Sequence, residues 1–287
     1  AQQLHAEILP AQLRDDVAEA HPARALRRHA VRIELDDAGK LLAGIDLHQV
    51  DAGVREILDH PRLTFVREDV RNTDALAKLL PGTDAVVHLA ALCNDPIGDL
   101  NPAWTEDINY RASVRLASLA KEAGVRRFVF ASSCSIYGAS GADAVTEDSP
   151  LQPLTAYAVS KVRTEEALSA MADASFSPVF LRNATAYGVS PRLRVDVVLN
   201  NLTAWAHCTG KIKIMSDGTP WRPLVHVEDI CRTAAAVLEA PVDAVHNQAF
   251  NVGRDDENYQ VRDLAKIVSH AVPGCEIEYA GGASPDQ

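Results

Sequence analysis

Apolar positions fall into short runs separated by longer stretches with a helical period. Residues 63–70 (LTFVREDV) alternate in polarity and predict a strand. Residues 73–80 (TDALAKLL) predict a helix closed by Pro81-Gly82. DAVVHLAAL at 84–92 is a short valine-rich run, the mark of a buried strand. Residues 105–123 carry the helical period and stop at Gly124, a natural C-terminal cap. RRFVFASS (126–133) predicts a further buried strand, 155–172 a helix, and SPVFLRNA (177–184) another strand. Strands that alternate with helices and are themselves nearly all apolar predict a parallel sheet covered on both faces, the doubly wound α/β class. Beyond about residue 184 the pattern loosens. A helix is expected over 194–209, a strand at KIKIM (211–215) followed by the turn SDGTP, a helix over 226–240 and a strand at EIEYA (276–280). The chain is thus expected to divide into a first domain at 1–182 and a smaller second domain at 183–287 that partly returns to the first.

The amino-terminal stretch breaks this rhythm. Residues 4–29 read as a broken helix containing Pro10 and Pro22. AVRIEL (30–35) alternates, DDAG makes a turn, and KLLAGID (40–46) forms a second strand, which together predict a hairpin. No glycine occurs before Gly39.

Composition narrows the function. The 287 residues include 28 Lys plus Arg and 39 Asp plus Glu, a formal net charge of −11. So acidic a chain is a poor sequence-independent nucleic-acid binder, and an anionic ligand would need a local basic site. Cys93, Cys134, Cys208, Cys231 and Cys275 show neither CxxC pairing nor a His/Cys ligand spacing, so no metal is expected. Their odd number and scatter suit a reducing compartment. No apolar run approaches the ~18 residues of a membrane span, and the amino terminus has no apolar signal core. The expectation is a soluble cytoplasmic protein without a membrane partner.

The candidate chemistry centres on Ser133, Tyr157 and Lys161. Tyr157 and Lys161, in TAYAVSK, stand at i, i+4 on a predicted helix and share a face. A free phenol titrates near pH 10, and an ammonium one turn away favours the phenolate. Ser133 closes a predicted strand, where its hydroxyl can share a substrate proton with Tyr157. The set suits proton abstraction from an alcohol as hydride leaves its carbon. His88 and His226 fit as packed histidines, Cys134 as a buried thiol, and Glu106 and Asp107 as residues favouring a helix dipole.

The order ASSCSIYG (131–138) followed by PLTAYAVSK (153–161) resembles the extended short-chain dehydrogenase/reductase family, the NAD-dependent epimerases and dehydratases of nucleotide sugars. The resemblance runs from about Asp46 to about residue 280. It implies a Rossmann-like dinucleotide-binding domain, a catalytic triad of Ser133, Tyr157 and Lys161, and a Lys161 that also holds the nicotinamide ribose. LAGID resembles the family's second strand, with Asp46 at the adenosine ribose. A carboxylate there implies NAD over NADP. DVR at 69–71 resembles the end of its third strand, implying that Asp69 and Val70 face the adenine. DAVVHLAA resembles its fourth strand, with Leu89, Ala90 and Ala91 along the cofactor, and Asn109 matches its helix asparagine. LRNATAYG (181–188) implies a substrate contact at Thr185. LNNL implies another at Asn201, and RPLVHVED (222–229) implies an Arg222 that clamps a nucleotide diphosphate, for which a guanidinium fork is suited. The family also implies a homodimer formed through the helices at 105–123 and 155–172.

The chain departs from this pattern in three places. The family's GxxGxxG turn, where only glycine lets the backbone approach a pyrophosphate, is absent. A replacement that weakens or abolishes dinucleotide binding, a reading-frame artefact or an unusual phosphate loop would each account for it. The carboxylates that follow the catalytic Ser/Thr in sugar 4,6-dehydratases are replaced by Cys134 and Ser135. The chain also stops soon after EIEYA, where family members usually continue. The expected activity is therefore a nucleotide-sugar epimerase or keto-reductase and not a 4,6-dehydratase. The alternative is a cofactor-free member that binds a nucleotide-like ligand or a partner. No GxSxG elbow or Walker A loop points elsewhere.

Overall fold

The structure is a computed structural model that describes residues 28–35, 39–46, 61–66, 68–93, 100–138, 144–190 and 193–279, the first two ranges as backbone. Nearly all of 4–29, and Ala280 onward, lie outside it. Chain order in the first half is β1 (Arg28–Leu35), β2 (Gly39–Asp46), β3 (Leu63–Val66), α1 (Thr73–Leu79) and β4 (Ala85–His88). Then come α2 (Pro102–Thr105), a π-helical turn (Glu106–Arg111), α3 (Ala112–Glu122), β5 (Arg127–Ser133), a 3-10 turn (Cys134–Tyr137), α4 (Ala156–Ala170) and β6 (Ser177–Asn183). The second half holds β7 (Thr185–Tyr187), α5 (Val198–Thr209), β8 (Lys211–Ile214), β9 (Trp221–His226), α6 (Val227–Glu239) and α7 (Val242–Val245). It ends with β10 (Gln248–Val252), β11 (Asn258–Gln260), α8 (Val261–Ala271) and β12 (Glu276–Tyr279).

Seven strands form the main sheet in the order β10-β6-β5-β4-β2-β1-β3. Neighbours from β2 to β10 pair in parallel. β1 is antiparallel to both β2 and β3, so β3 again runs with the majority. The doubly wound α/β class is therefore observed, and so is the hairpin. One strand assignment is corrected. LAGID stands directly beside β4, the place of the first strand in the 3-2-1-4-5-6 order, and not in the second strand's place. The three-residue link between β1 and β2 makes them an antiparallel pair. A parallel crossover takes about a dozen residues.

Alternation along the strands builds two cores. Phe128, Phe130 and Phe180 join Leu76, Ile108, Leu116 and Leu168 under α1, α3 and α4. Val129, Val179 and Leu181, on the other face, pack with Val225, Val237 and Val252. Each such buried side chain contributes about 1.5–3 kcal/mol. A third cluster gathers Leu202, Ile212, Ile214, Leu224 and Leu264 from α5, β8, β9 and α8. The β11-β9-β7 and β12-β8 sheets lie in this part of the chain.

Boundaries shift for local reasons. The strand expected over 63–70 ends at Val66, and Asp69 opens a turn by accepting from the Arg71 backbone N–H (2.9 Å). The helix expected from 105 starts at Pro102, where Asn101 accepts from the Trp104 N–H (3.3 Å). The helix expected from 194 starts at Val198, because Asn200 and Asn201 donate their side-chain N–H groups to the carbonyls of Arg194 (2.9 Å) and Val195 (2.8 Å). Gly188 is required as glycine: its φ is +110°, and a Cβ would overlap the His226 ring.

Candidate active site

Ser133 ends β5 in extended conformation, and its Oγ accepts from the N–H (3.2 Å) and hydroxyl (3.0 Å) of Ser135. Thr155 caps α4 by accepting from the Ala158 N–H (3.1 Å), which sets Tyr157 in the first turn. The Ser133 hydroxyl favours the ionised form of the Tyr157 phenol. One turn on, Lys161 is buried and donates to the Ala131 carbonyl (2.6 Å), 4.6 Å from the Phe130 ring centroid and 5.5 Å from that of Tyr157. The three residues singled out from sequence thus converge at the carboxyl end of the central strands.

The electrostatics differ from expectation. Burial pushes the Tyr157 phenol above its ordinary value of 10, and the Cys93 and Cys134 thiols act in the same direction. The Ser133 hydroxyl and the positive charge of Arg194 oppose them and are outweighed. The net direction in this geometry is upward, although Lys161 stands beside the ring. Its ammonium is drawn to a carbonyl under the ring, and the desolvated phenol stays protonated.

The π-helical turn supplies the support. It directs the buried Asn109 so that Oδ1 accepts from the Leu92 N–H (2.6 Å) while Nδ2 donates to the Leu92 carbonyl (3.2 Å) and the Ser160 hydroxyl (3.3 Å). Ser160 in turn donates to the Tyr157 carbonyl (2.6 Å). The Asn109 carbonyl accepts from Ser113 (2.6 Å) and Thr164 (3.2 Å). Extra residues of this kind recur at functional sites because they re-aim one side chain. Asn109, expected along the cofactor, has both amide hydrogens and its oxygen engaged within the protein.

The other sequence candidates are placed as follows. Asp46 ends β2, described as backbone only. Asp69 holds Arg71 through two side-chain bonds, 3.0 and 2.7 Å. The Val70 side chain is packed into the core. Ala90 and Ala91 are buried and Leu89 is exposed, immediately after β4. Thr185 opens β7 opposite Leu224 of β9. The Asn201 amide holds the Val195 carbonyl, and Arg222 donates to the Trp221 carbonyl (2.9 Å).

Several residues escaped sequence reasoning. Arg194 is paired with Asp196 (2.5 Å) and donates to the Cys93 carbonyl (2.8 Å), although they lie 101 residues apart. Arg182 and Glu165 form a buried ion pair (2.8 Å), and Arg182 also donates to the Tyr137 hydroxyl (2.8 Å) and the Glu147 carbonyl (2.9 Å). The Tyr137 hydroxyl donates to the Asn251 side-chain oxygen of β10 (2.7 Å). This network fixes the turn that follows Ser133. Only the charged residues within apolar runs, RN after SPVFL and EE after KVRT, signalled it.

Among the described residues no group of three or more His, Cys, Asp or Glu could hold a metal, and no helix is long and apolar enough to cross a membrane. The family model described as "NAD dependent epimerase/dehydratase family" matches residues 34–253. The chain is 31% identical over 195 residues to the uncharacterized UDP-glucose epimerase YtcB of Bacillus subtilis (strain 168), an alignment covering 66% of this chain and 59% of that one. It is similar to UDP-glucuronic acid 4-epimerase from Bacillus cereus, solved with UDP-glucuronic acid and NAD (TM-score 0.71, 27% identity, 79% of this chain and 71% of that one). It is equally similar to DesIV, a dTDP-glucose 4,6-dehydratase from Streptomyces venezuelae solved with NAD and TYD (TM-score 0.71, 26% identity, 79% and 70%).

Proposed function

Given that the chain belongs to the NAD dependent epimerase/dehydratase family, we propose that it is a nucleotide-sugar epimerase or keto-reductase working through Ser133, Tyr157 and Lys161. The observation that carries this reading is the convergence of Ser133, at the end of β5, with Tyr157 and the buried Lys161 of α4, whose ammonium lies 5.5 Å from the Tyr157 ring centroid and donates to the Ala131 carbonyl two residues before Ser133. Bound NAD would supply the hydride acceptor and donor. Leu89, at the end of β4, and Ser133 and Asn183, at the ends of β5 and β6, would flank its nicotinamide end. An unpartnered buried Asn183 oxygen fits a ligand that carries hydrogen-bond donors. Tyr157 exchanges the proton of the substrate hydroxyl at its phenol oxygen, and Ser133 orients that hydroxyl. Lys161 holds the end of β5 against α4. Since burial keeps the phenol protonated, Tyr157 becomes a base when additional positive charge enters the site, and otherwise stands ready as an acid. Residues 1–182 carry this chemistry, and 183–287 the substrate side, with Thr185, Asn201 and Arg222 as sugar and diphosphate contacts.

Cys134 and Ser135 separate this reading from dehydration. Expelling water requires an acid for the departing hydroxyl, and a thiol is by nature a far weaker acid than a carboxyl. The test is to incubate purified protein with NAD and a panel of UDP- and dTDP-hexoses and follow them by NMR. An inverted stereocentre or a reduced ketone, lost in Tyr157→Phe, is expected; release of water from the hexose would refute the reading. A homodimer through α3 and α4 is part of the proposal, and sedimentation as a monomer alone would remove it.

The β1–β2 hairpin favours a second reading, a family member that binds a nucleotide-like ligand without redox chemistry. It occupies the part of the sheet from which a strand, glycine turn and helix would cradle a pyrophosphate. Chromatography of the supernatant from denatured protein decides between the two. Bound or millimolar-added NAD retained by the protein supports the first, and none supports the second.

A further inference from the structure

We propose that Asn183 is a ligand-contacting residue, its side-chain oxygen accepting a hydrogen bond from a donor group on the ligand that lies beside Ser133. The inference deepens the reading above and rests on it. Asn183 is the last residue of β6 and the cross-strand partner of Ser133. Partners in a parallel pair project to the same face. Along that face β5 runs Val129, Ala131, Ser133 while β6 runs Val179, Leu181, Asn183. Val129, Val179 and Leu181 belong to one apolar cluster, so the face turns polar only at the carboxyl edge, where the candidate chemistry stands.

The Asn183 amide is half satisfied. Its Nδ2 reaches the Ser132 carbonyl at 3.5 Å, and its buried Oδ1 has no partner. Flipping the amide would set oxygen against the Ser132 carbonyl oxygen, so the orientation is fixed by repulsion. A buried acceptor without a donor is unfavourable and is kept where a partner arrives later. Ser132, Ser177 and Asn247 also carry a buried unpartnered oxygen. Ser132 projects to the opposite face, Ser177 opens β6 at its far end, and Asn247 lies before β10 in a left-handed conformation (φ 54°). Asn183 alone of these four stands at the carboxyl edge on the face of Ser133. The partner it fits is a neutral N–H or O–H donor, which the carboxamide of a nicotinamide and a hydroxyl of a nucleotide-linked sugar both provide.

Calorimetric titration of the full chain separates the two. The probes are NAD against ADP-ribose, which lacks the nicotinamide, and UDP-glucose against UDP, which lacks the sugar. Asn183→Leu should weaken one member of one pair by roughly 5- to 20-fold, the value of one buried hydrogen bond, and leave its truncated partner unchanged. A loss for NAD assigns the nicotinamide; a loss for UDP-glucose assigns the sugar. Ligand-free Asn183→Leu removes only the long 3.5 Å contact to the Ser132 carbonyl and an oxygen without a partner, so it should melt within about 2–4 °C of wild type. A clear fall would mark Asn183 as structural and overturn the role. Asn183→Ala gives the same ratios if leucine prevents folding. Unchanged ratios in both variants would overturn the role of Asn183 alone. A wild type that binds neither ADP-ribose nor UDP would overturn the functional reading and this role with it.

Discussion

Replacing Arg182 tests how the turn behind Ser133 is held. The Arg182 and Glu165 side chains are each 8% exposed and make three side-chain bonds, two at 3.2 Å through Nε and one at 2.8 Å through Nη2. Arg182→Met leaves the Glu165 carboxylate buried without its partner, which costs about 3–5 kcal/mol. At 2–4 °C per kcal/mol for a chain of this size, the melting point should fall by about 6–20 °C. Adding Glu165→Met removes the stranded charge. The double variant then lacks only the bonds to Tyr137 and Glu147, worth about 1 kcal/mol each. Urea denaturation of wild type, both single variants and the double gives the coupling energy. A coupling above about 2 kcal/mol is expected. A double variant as unstable as the sum of the singles would refute the account of this pair as a mutually dependent buried unit.

Two further outcomes follow from the site. Tyr157 is protonated to higher pH when folded than when unfolded, so its share of stability is complete below about pH 10 and is lost as pH rises past that value. Tyr137 and Tyr187 are raised in the same direction, so Tyr157→Phe should remove part of the alkaline loss in a series of denaturation curves; an unchanged slope would contradict the burial of the phenol. Asn109→Ala leaves the Leu92 N–H and carbonyl without partners, at about 1–3 kcal/mol each, and hydrogen exchange at the Leu92 amide should accelerate. Undiminished protection there would show that Asn109 does not hold the end of β4.

The parts of the fold legible in the sequence are those where one period persists. RRFVFASS and SPVFLRNA alternate Phe and Val so that each strand feeds two cores, and the apolar run itself announces a strand buried on both sides. Tyr157 and Lys161 were legible because helical spacing alone puts them on one face. Asn109 was found by its place in a helix, but its partners were not. Which group it meets depends on the π-helical turn, which no residue pattern in EDINYR reveals. The Tyr157 phenol misled for a related reason. Spacing indicates that a cation is near, whereas the burial of the phenol and the electrostatic effect of Cys93 and Cys134 arise only in the folded chain. The place of LAGID was obscured because strand order is set by pairing between segments far apart in sequence, here β2 with β4, which no local pattern records.

The position of β10 at the far edge of the main sheet has a consequence for synthesis. Val252 pairs with Asn183, and α6 lays Val237 on the face formed by Val129, Val179 and Leu181. A ribosome must therefore synthesise the chain through Val252 before that face is covered. Until then β6 is an open edge beside a bare apolar surface, the kind of intermediate that aggregates or engages a chaperone. A stop codon just after Asn183 would yield an insoluble fragment and not a smaller working protein. Any split of the gene that hopes for independently folding halves has to carry α6 and β10 with the first.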